Sequence, residues 1–267
     1  MLEYSFMQNA LIAGVLISIL CPCVGVFLVL KRYSMMGDAL SHASFAGVAV
    51  GLLFGFNPII SAFVFTSICG LLIEKLRCYY KKYADLILVI VMTLSVGIAI
   101  TLISSGRTSA SVNSYLFGSI LTVTKEDLFT IFTLSIISVF IITILYNQLI
   151  YITIDEDGAK IAGVKVKLIN YLFALLVAAT ISVSLRIMGI LVISSMIAMP
   201  VAAAIQLNKG FRKTLIFSII FGFIDIMVGL ILSYYIDTAP GGTIALTSVA
   251  VLLTIILGKR LLGLKNK

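Results

Sequence analysis

Apolar residues along this chain form long, nearly uninterrupted runs that are separated by short polar segments. Because a helix needs about 20 apolar residues to cross the hydrocarbon core of a bilayer, runs of this length predict transmembrane helices. We predict nine spans, at Ala10–Leu30, Met35–Gly55, Pro58–Ile73, Leu86–Ser104, Leu128–Leu149, Leu168–Leu185, Ile187–Gln206, Thr214–Ile236 and Gly242–Leu257. An additional apolar piece, Asn113–Thr122, is too short to span, and we expect it to form a re-entrant or interfacial helix.

The composition supports an integral membrane protein. Of the 267 residues, 61% are hydrophobic and 11% are charged, whereas soluble domains average about 45–50% apolar and about 25% charged residues. We therefore expect an all-α polytopic bundle of about nine helices, with residues 1–267 forming one transmembrane domain. The sequence contains no G-x-x-x-x-G-K-[ST] motif, so the chain is not expected to be an enzyme that hydrolyses a nucleotide itself.

Basic residues lie mainly in one set of alternate loops. This set carries 16 of the 19 lysines and arginines, and the opposite set carries Arg107, Lys125 and Arg186. Loops on the cytoplasmic side of a membrane are enriched in these residues. The distribution therefore predicts an N-terminus outside the cell and a C-terminus in the cytoplasm.

The stretch from Ser34 to Gly51 carries the one histidine of the chain, His42, four residues after Asp38. On a helix these two side chains lie one turn apart on the same face. Imidazole and carboxylate are ligands for divalent zinc, manganese and iron. Charged groups at the centre of a span cost about 2.5–3.5 kcal/mol and usually mark a pathway, although a buried polar pair that locks two helices is the alternative.

Small residues form a second stripe on the same segment. They recur at a spacing of four, which favours a close approach by another helix in a membrane. The stripe consists of Ala39, Ala43, Gly47 and Gly51. We therefore expect a tight helix contact next to the Asp38–His42 pair.

Two further acids are candidates for metal binding. Asp225 lies near the middle of the eighth predicted span, where a charge is costly unless it has a function or is hydrogen-bonded across the bundle. Asp237 lies at the outer end of that span, either at an extracellular mouth or in a turn. Cys21 and Cys23 point about 200° apart on a helix, which disfavours a shared ion and is consistent with buried small residues.

One cytoplasmic loop has the character of a short amphipathic helix. Between Ile154 and Ile169 three acids are followed by apolar and small residues and then by three lysines. A purely solvated loop would not need Ile161, Ala162 and Val164. The pattern indicates a helix that lies on the membrane face or docks on a partner.

Several motifs resemble those of the permeases of zinc-, manganese- and iron-uptake ABC transporters. The first runs from Lys31 to Gly51 and reads K-R-x-S-x-x-G-D-A-L-S-H-A-x-x-x-G-V-A-x-G. The resemblance continues through nearly the whole chain. Further matches are Y-L-F-G-S-I-L at Tyr115–Leu121, A-x-x-x-G at Ala159–Gly163, M-G-I-L-V-I-S-S-M-I-A-M-P-V-A-A-A at Met188–Ala204 and S-Y-Y-I-D-T-A-P-G-G at Ser233–Gly242.

The resemblance implies partners, a substrate and a location. The expected partners are a cytoplasmic ABC ATPase, an extracytoplasmic metal-binding protein and a second permease subunit, either an identical copy or a paralogue. We expect no nucleic-acid partner. Divalent zinc, manganese or iron would be the transported substrate, with no permanently bound cofactor, and the chain would lie in a bacterial plasma membrane.

The resemblance also implies roles for individual residues. Asp38 and His42 would supply transient metal ligands, and Asp237 would lie at the extracellular opening of the path. Asp225 falls outside the matching motifs and remains a candidate only because a charge within a span is costly. The amphipathic loop would be the coupling helix, Asp157–Val164, that binds the ATPase. Its small residues, Ala159 and Gly163, match the positions that enter the groove of the ATPase.

Two other functions remain open at this point. A stand-alone transporter driven by an ion gradient could use the same ligands, but the sequence shows no clear inverted repeat. An intramembrane aspartyl protease would need two acids, yet Asp225 and Asp237 lack a G-x-G-D context. Dependence on an ATPase separates the importer from the stand-alone transporter.

Overall fold

The computed structural model describes residues 5–80, 83–105, 112–119 and 123–261, and these ranges are helical with no strand. The helices are joined by short turns. They are α1 (Ser5–Leu30), α2 (Ser34–Phe54), α3 (Pro58–Tyr79), α4 (Ala84–Ser104), α5 (Val112–Phe117), α6 (Lys125–Ile154), α7 (Glu156–Ile161), α8 (Val166–Met188), α9 (Ile190–Ile205), α10 (Phe211–Ile236) and α11 (Pro240–Leu261). The all-α membrane architecture is confirmed.

Eight helices within the described ranges are long and apolar enough to cross a membrane, and α9 is a shorter apolar helix of 16 residues. The two ends of α9 nevertheless lie beside the two ends of α11. The carbonyl of Met188, just before α9, lies against Gly241, and Lys259 Nζ donates to the carbonyl of Gln206 at 2.8 Å. Helices α9 and α11 therefore run side by side through the same layer, so α9 corresponds to the seventh predicted span.

The core of the bundle forms around α1, which packs against α6, α8, α9 and α10. Near its C-terminal end, the ring of Phe27 lies 6.1 Å from Phe173 of α8 and 5.4 Å from Phe211 of α10. Aromatic pairs at such distances stabilise a contact beyond the area that they bury. The C-terminal end of α1 is thereby held against the N-terminal parts of α8 and α10.

The small-residue stripe on α2 makes the close helix contact that its spacing predicts. A Cβ atom built on Gly47 would lie 2.6 Å from Cα of Ala62 on α3. Ser61 Oγ donates to the carbonyl of Gly47 at 2.7 Å across the same contact. The backbones of α2 and α3 therefore touch directly, as small residues allow in membranes.

The short apolar piece predicted at Asn113–Thr122 corresponds to α5, although residues 120–122 lie outside the described ranges. The end of α5 meets the α8–α9 break at Gly118 and Gly189, which both have positive φ. A Cβ on Gly118 would lie 2.1 Å from the carbonyl oxygen of Ile187. Only glycine fits such a backbone contact.

A buried ion pair fixes the C-terminal end of α8 beside this junction. Arg186 Nη2 lies 3.0 Å from Asp127 Oδ2, and both side chains are largely buried. Asp127 also closes a capping box with Thr124 at the start of α6, and the Arg186 guanidinium lies 4.8 Å from the Tyr115 ring centroid. The pair therefore joins α5, α6 and α8.

Candidate metal-translocation site

Helix α2 presents Asp38 and His42 on its accessible side. Both residues are half-buried, whereas Ala39, Leu40 and Ala43 between and beside them are buried. Their spacing of four residues places the two side chains one turn apart. A carboxylate and an imidazole thus share one accessible stripe of a helix that carries no other ionisable side chain.

The accessible stripe ends above His42. Phe45 and Ala49 continue the same face towards the C-terminal end of α2, and both are buried. Helix α2 packs against α3, α4, α8 and α9. The single chain therefore leaves the Asp38–His42 pair open along the N-terminal half of α2 and covers the face beyond it.

Two ligands are too few for a complete metal site. Within the described residues, no three His, Cys, Asp or Glu side chains converge to hold an ion. Zinc sites usually take four ligands, and other divalent metals take more. The Asp38–His42 pair could therefore hold a metal only together with water, substrate ligands or a second chain.

Asp225 lies apart from this pair, within the packing of α10 against α11. The carboxyl group is buried, and neither of its oxygens has a hydrogen-bond partner. The hydroxyl of Ser248 on α11 interacts with the carboxyl group electrostatically, but its geometry does not complete a hydrogen bond. Helix α10 packs against α1, α9 and α11, so Asp225 belongs to a different part of the bundle from Asp38.

Asp237 is exposed at the C-terminal end of α10. Its φ of 60° makes it a left-handed cap that ends the helix, which is a conformation that Asp tolerates better than most residues. The side chain lines a cavity of about 480 Å³ together with Phe6 and Ser233. The structure therefore brings together Asp38 and His42, and it places Asp225 and Asp237 elsewhere.

The two cysteines of α1 lie in the core of the bundle. Both thiols are buried, and Cys21 Sγ lies 3.2 Å from Ser184 Oγ of α8. Free cysteines in such surroundings pack as small apolar residues.

The amphipathic loop contains a helix, α7, whose bounds differ from the prediction. It begins at Glu156 and ends at Ile161, rather than extending from Asp157 to Val164. Asp155 caps the helix, because its Oδ1 accepts from the backbone N–H of Gly158 at 2.9 Å. Gly163 has a φ of 81° and turns the chain towards α8, which stops the helix early.

The exposed side of this segment is also different from the one expected. Ala159 is fully buried against the chain's own helices. Ile161, Ala162 and Gly163 are exposed, and a Cβ on Gly163 would meet no atom within 4 Å. The small size of Ala159 is therefore needed inside the permease, whereas residues 161–163 lie on its surface.

Charges on α7 are paired along the helix. Lys160 Nζ lies 3.0 Å from Glu156 Oε1 and 2.9 Å from Asp157 Oδ1. The hydrogen bonds that Lys160 donates to the carboxylates of Asp157 and Glu156 raise the pKa of Lys160. A cavity of about 470 Å³ separates this charged face from α3 and α8.

Sequence reasoning missed two groups of residues. Arg186 stood out only as one of three basic residues on the outer side, and its lone position near a span end was the available signal for a buried ion pair. Arg77 was assigned to the cytoplasmic loops by its charge. Its contact with Tyr33, 44 positions earlier in the chain, left no sequence signal.

The chain is similar to known membrane permeases over nearly its full length. Residues 3–259 match the model of the ABC 3 transport family. A Treponema pallidum protein described as a probable metal transport system membrane protein is 49% identical, covering 96% of each chain. The manganese import system permease protein ScaB of Streptococcus gordonii is 30% identical, covering 94% of this chain and 90% of that one.

A solved structure supports the same conclusion. The structure described as PsaBC from Streptococcus pneumoniae in complex with Fab superposes with a TM-score of 0.87 at 30% sequence identity. The match covers 99% of this chain and 96% of the other. The fold, the α2 motif and the match over residues 3–259 together show that the chain is a membrane permease belonging to the ABC 3 transport family.

Proposed function

We propose that this permease carries a divalent metal, manganese or iron(II), into a bacterial cell as one subunit of an ABC importer. The observation that carries the proposal is the half-buried Asp38–His42 pair on α2, a helix with no other ionisable side chain. Relatives named for manganese import and for iron transport, the latter 30% identical from Haemophilus influenzae, support the choice of metals. Membership of the ABC 3 transport family disfavours a stand-alone, gradient-driven transporter.

A second permease subunit would complete the ligand set. In a two-fold symmetric pair each copy presents the same surface to the other, so two α2 helices would supply two carboxylates and two imidazoles. Oxygen and nitrogen ligands of this kind suit manganese and iron(II). Waters in the remaining positions would keep the site weak enough to release its ion.

ATP hydrolysis would be the task of a cytoplasmic partner. The exposed residues of the α7 turn, Ile161, Ala162 and Gly163, offer a small and apolar surface for a groove on that ATPase. An extracytoplasmic metal-binding protein would deliver the ion to the opposite face. This arrangement requires the orientation that the basic loops predict, with the N-terminus outside.

Uptake measurements test the function and the ligand pair together. The permease is expressed with its ATPase and binding protein in a strain that lacks manganese and iron importers, and cell metal is measured by elemental analysis. His42→Ala and Asp38→Asn should each lower uptake by about tenfold or more. Loss of a metal ligand is at least as costly as loss of a residue that hydrogen-bonds to a ligand. Asp225→Asn is the matched control and should retain uptake.

Two results would contradict the proposal. A wild-type complex that accumulates neither metal would exclude the function. Wild-type uptake by Asp38→Asn at equal protein level would make Asp38 a structural residue, because a neutral amide can still hydrogen-bond to imidazole.

The orientation is tested by labelling single cysteines with a membrane-impermeant reagent. Cys78 is exposed and must first be replaced, whereas the other three cysteines are buried. Cysteines introduced at Asn57 and Asp237 should label in intact cells, and one at Lys209 should label only after lysis. The reverse pattern would place the N-terminus in the cytoplasm.

A further inference from the structure

The turn between α1 and α2 is held in an uncommon conformation. Arg32 has a φ of 59°, in the left-handed region that side-chain-bearing residues other than Asn and Asp rarely adopt. Such conformations persist where the surrounding structure fixes the chain, and they cluster at sites that switch. Helix α2 begins two residues later, at Ser34, so a shift of this turn moves the start of the helix that bears Asp38.

Tyr33, which follows Arg32, is held in place by contacts with α3. The guanidinium carbon of Arg77 lies 3.7 Å from the centroid of the Tyr33 ring, and Arg77 Nη2 donates to the tyrosine hydroxyl. Arg77 Nη1 is in turn 3.2 Å from Glu74 Oε1, and the Glu74 side chain is buried. Stacking and charge-assisted hydrogen bonds act together here.

Lys31, which precedes Arg32, is held by α8. Its Nζ donates to Asn170 Oδ1 at 2.9 Å and lies 5.2 Å from the ring centroid of Phe173. Burial lowers the pKa of Lys31 to about 8, and the carboxylates of Glu74 and Glu156 oppose this decrease. Glu156 is the first residue of α7 and lines the same cavity as Glu74 and Arg77, so α7 and the turn influence each other electrostatically across that cavity.

The space between α7 and these residues is open. The cavity of about 470 Å³ is lined on one side by Glu156, Asp157 and Lys160 of α7, and on the other by Glu74 and Arg77 of α3. A close-packed contact would fix the distance between the two helices. The cavity instead leaves α7 room to approach or leave the charges of α3 and the turn.

We propose that a cytoplasmic clamp transmits the movement of α7 to α2 and thereby sets the position of the Asp38–His42 pair. The clamp consists of Lys31, Tyr33, Glu74 and Arg77. When an ATPase displaces α7, the carboxylate of Glu156 changes its distance from Lys31 and Arg77. The changed electrostatic attraction on Arg77 weakens or strengthens its contact with Tyr33, and α2 tilts about the strained turn at Arg32.

This inference rests on the proposed function, since it assigns to the clamp the coupling of ATP hydrolysis to metal movement. Tyr33 and Arg77 are positioning residues, which act on the ligands through α2. If the clamp contacts only stabilised the packing of the helices, removing them would lower stability, ATP hydrolysis and metal uptake together. If the contacts transmit movement, removing them lowers the amount of metal moved for each ATP hydrolysed.

The test uses the complete transporter, with ATPase and binding protein, reconstituted in liposomes. Manganese uptake and ATP hydrolysis are measured in the same sample for Tyr33→Leu and for Arg77→Met. Arg77→Met is combined with Glu74→Gln, because alone it would leave the buried Glu74 carboxylate without its ion partner. The ratio of manganese to ATP should fall about tenfold, the effect of losing one hydrogen bond to a charged group, while assembly and hydrolysis stay within about twofold of wild type. The matched controls, Tyr83→Leu and Lys75→Met, replace exposed residues of the same face and should retain the wild-type ratio.

The double variant provides a second measurement. If Tyr33 and Arg77 act through one contact, adding Tyr33→Leu to the Arg77→Met and Glu74→Gln changes lowers the ratio no further than Tyr33→Leu alone. If Tyr33→Leu fails to assemble, Tyr33→Phe decides the matter, because it keeps the ring and removes only the hydroxyl. Its ratio should fall about threefold, and a wild-type ratio in that variant would overturn the clamp.

The remaining outcomes separate the inference from the function on which it rests. A wild-type complex without ATP-driven manganese or iron(II) uptake overturns the proposed function, and the clamp with it. Uptake by wild type together with an unchanged ratio in the clamp variants overturns the clamp alone. A parallel loss of ATP hydrolysis and metal uptake also overturns the clamp, because that result is expected of contacts that only stabilise helix packing.

Discussion

The contact between α2 and α3 leads to a prediction whose size follows from the structure. In Gly47→Ala the new Cβ would lie 2.6 Å from Cα of Ala62 and 2.8 Å from the carbonyl oxygen of Ser61. Ordinary contacts begin near 3.4 Å, so the two backbones must separate by about 0.8 Å at this point. The separation would also stretch the bond that Ser61 Oγ donates to the Gly47 carbonyl, now 2.7 Å long.

Three terms set the expected change in the free energy of unfolding. Overpacking of a well-packed contact costs about 1–3 kcal/mol, and an interhelical hydrogen bond in a membrane contributes about 0.6 kcal/mol. Alanine regains up to about 1 kcal/mol over glycine in a helix. Because these last two terms largely cancel, Gly47→Ala should destabilise the permease by about 1–3 kcal/mol, or about 2–12 °C in Tm for a chain of this size.

Thermal unfolding in detergent measures this effect. The chain contains no tryptophan, but three of its four cysteines are buried, so a thiol-reactive fluorophore reports unfolding. Gly97→Ala on α4 is the matched control, because its Cβ would meet no atom within 4 Å. Equal Tm values for the Gly47 and Gly97 variants would refute the direct backbone contact between α2 and α3.

Three further predictions concern other parts of the molecule. Ala162→Trp should abolish co-purification of the ATPase and leave membrane insertion unchanged, because an indole would block the surface proposed for docking. Ala162→Ser is the control, and co-purification retained by Ala162→Trp would show that the ATPase docks elsewhere. Arg186→Met should destabilise the permease by about 3–5 kcal/mol, because it leaves the Asp127 carboxylate buried without its ion partner. Adding Asp127→Asn to Arg186→Met should recover most of the decrease in Tm, and a double variant without recovery would refute the ion pair. Burial lowers the pKa of Lys31 in the folded chain from 10.5 to about 8. Between these two pH values the unfolded chain therefore binds more protons than the folded chain. As a result, the contribution of Lys31 to stability rises with pH across that window. Lys31→Met should abolish that part of the rise in Tm between pH 8 and 10, and identical pH profiles would refute the burial of Lys31.

Much of the fold could be predicted from the sequence because a bilayer imposes simple rules. Apolar runs fix the helices, and the small residues at Gly47 and Gly51 indicate a tight contact without naming its partner. The Asp38–His42 pair is local, and helical spacing alone places both side chains on one face. These features depend on neighbours within two turns of one helix.

The missed features depend on distant contacts or on which side of a short helix faces inwards. Ala159 looked suitable for a partner's groove, but in a helix of six residues the pattern does not distinguish the core side from the exposed side. The grip of Arg77 on Tyr33 depends on how two helices cross. Asp225 and Asp38 are both acids within spans, and only the packing of α10 against α11 separates them.

The shortness of α9 has a consequence for how the protein is made. Sixteen residues extend about 24 Å as a helix, which is less than the hydrocarbon thickness of about 30 Å. A helix of this length surrounded by lipid would suffer hydrophobic mismatch, whereas here α1, α2, α10 and α11 surround it. Because α10 and α11 follow α9 in the chain, the segment reaches its final environment only after they have been synthesised, and its membrane insertion is completed by the helices that come after it.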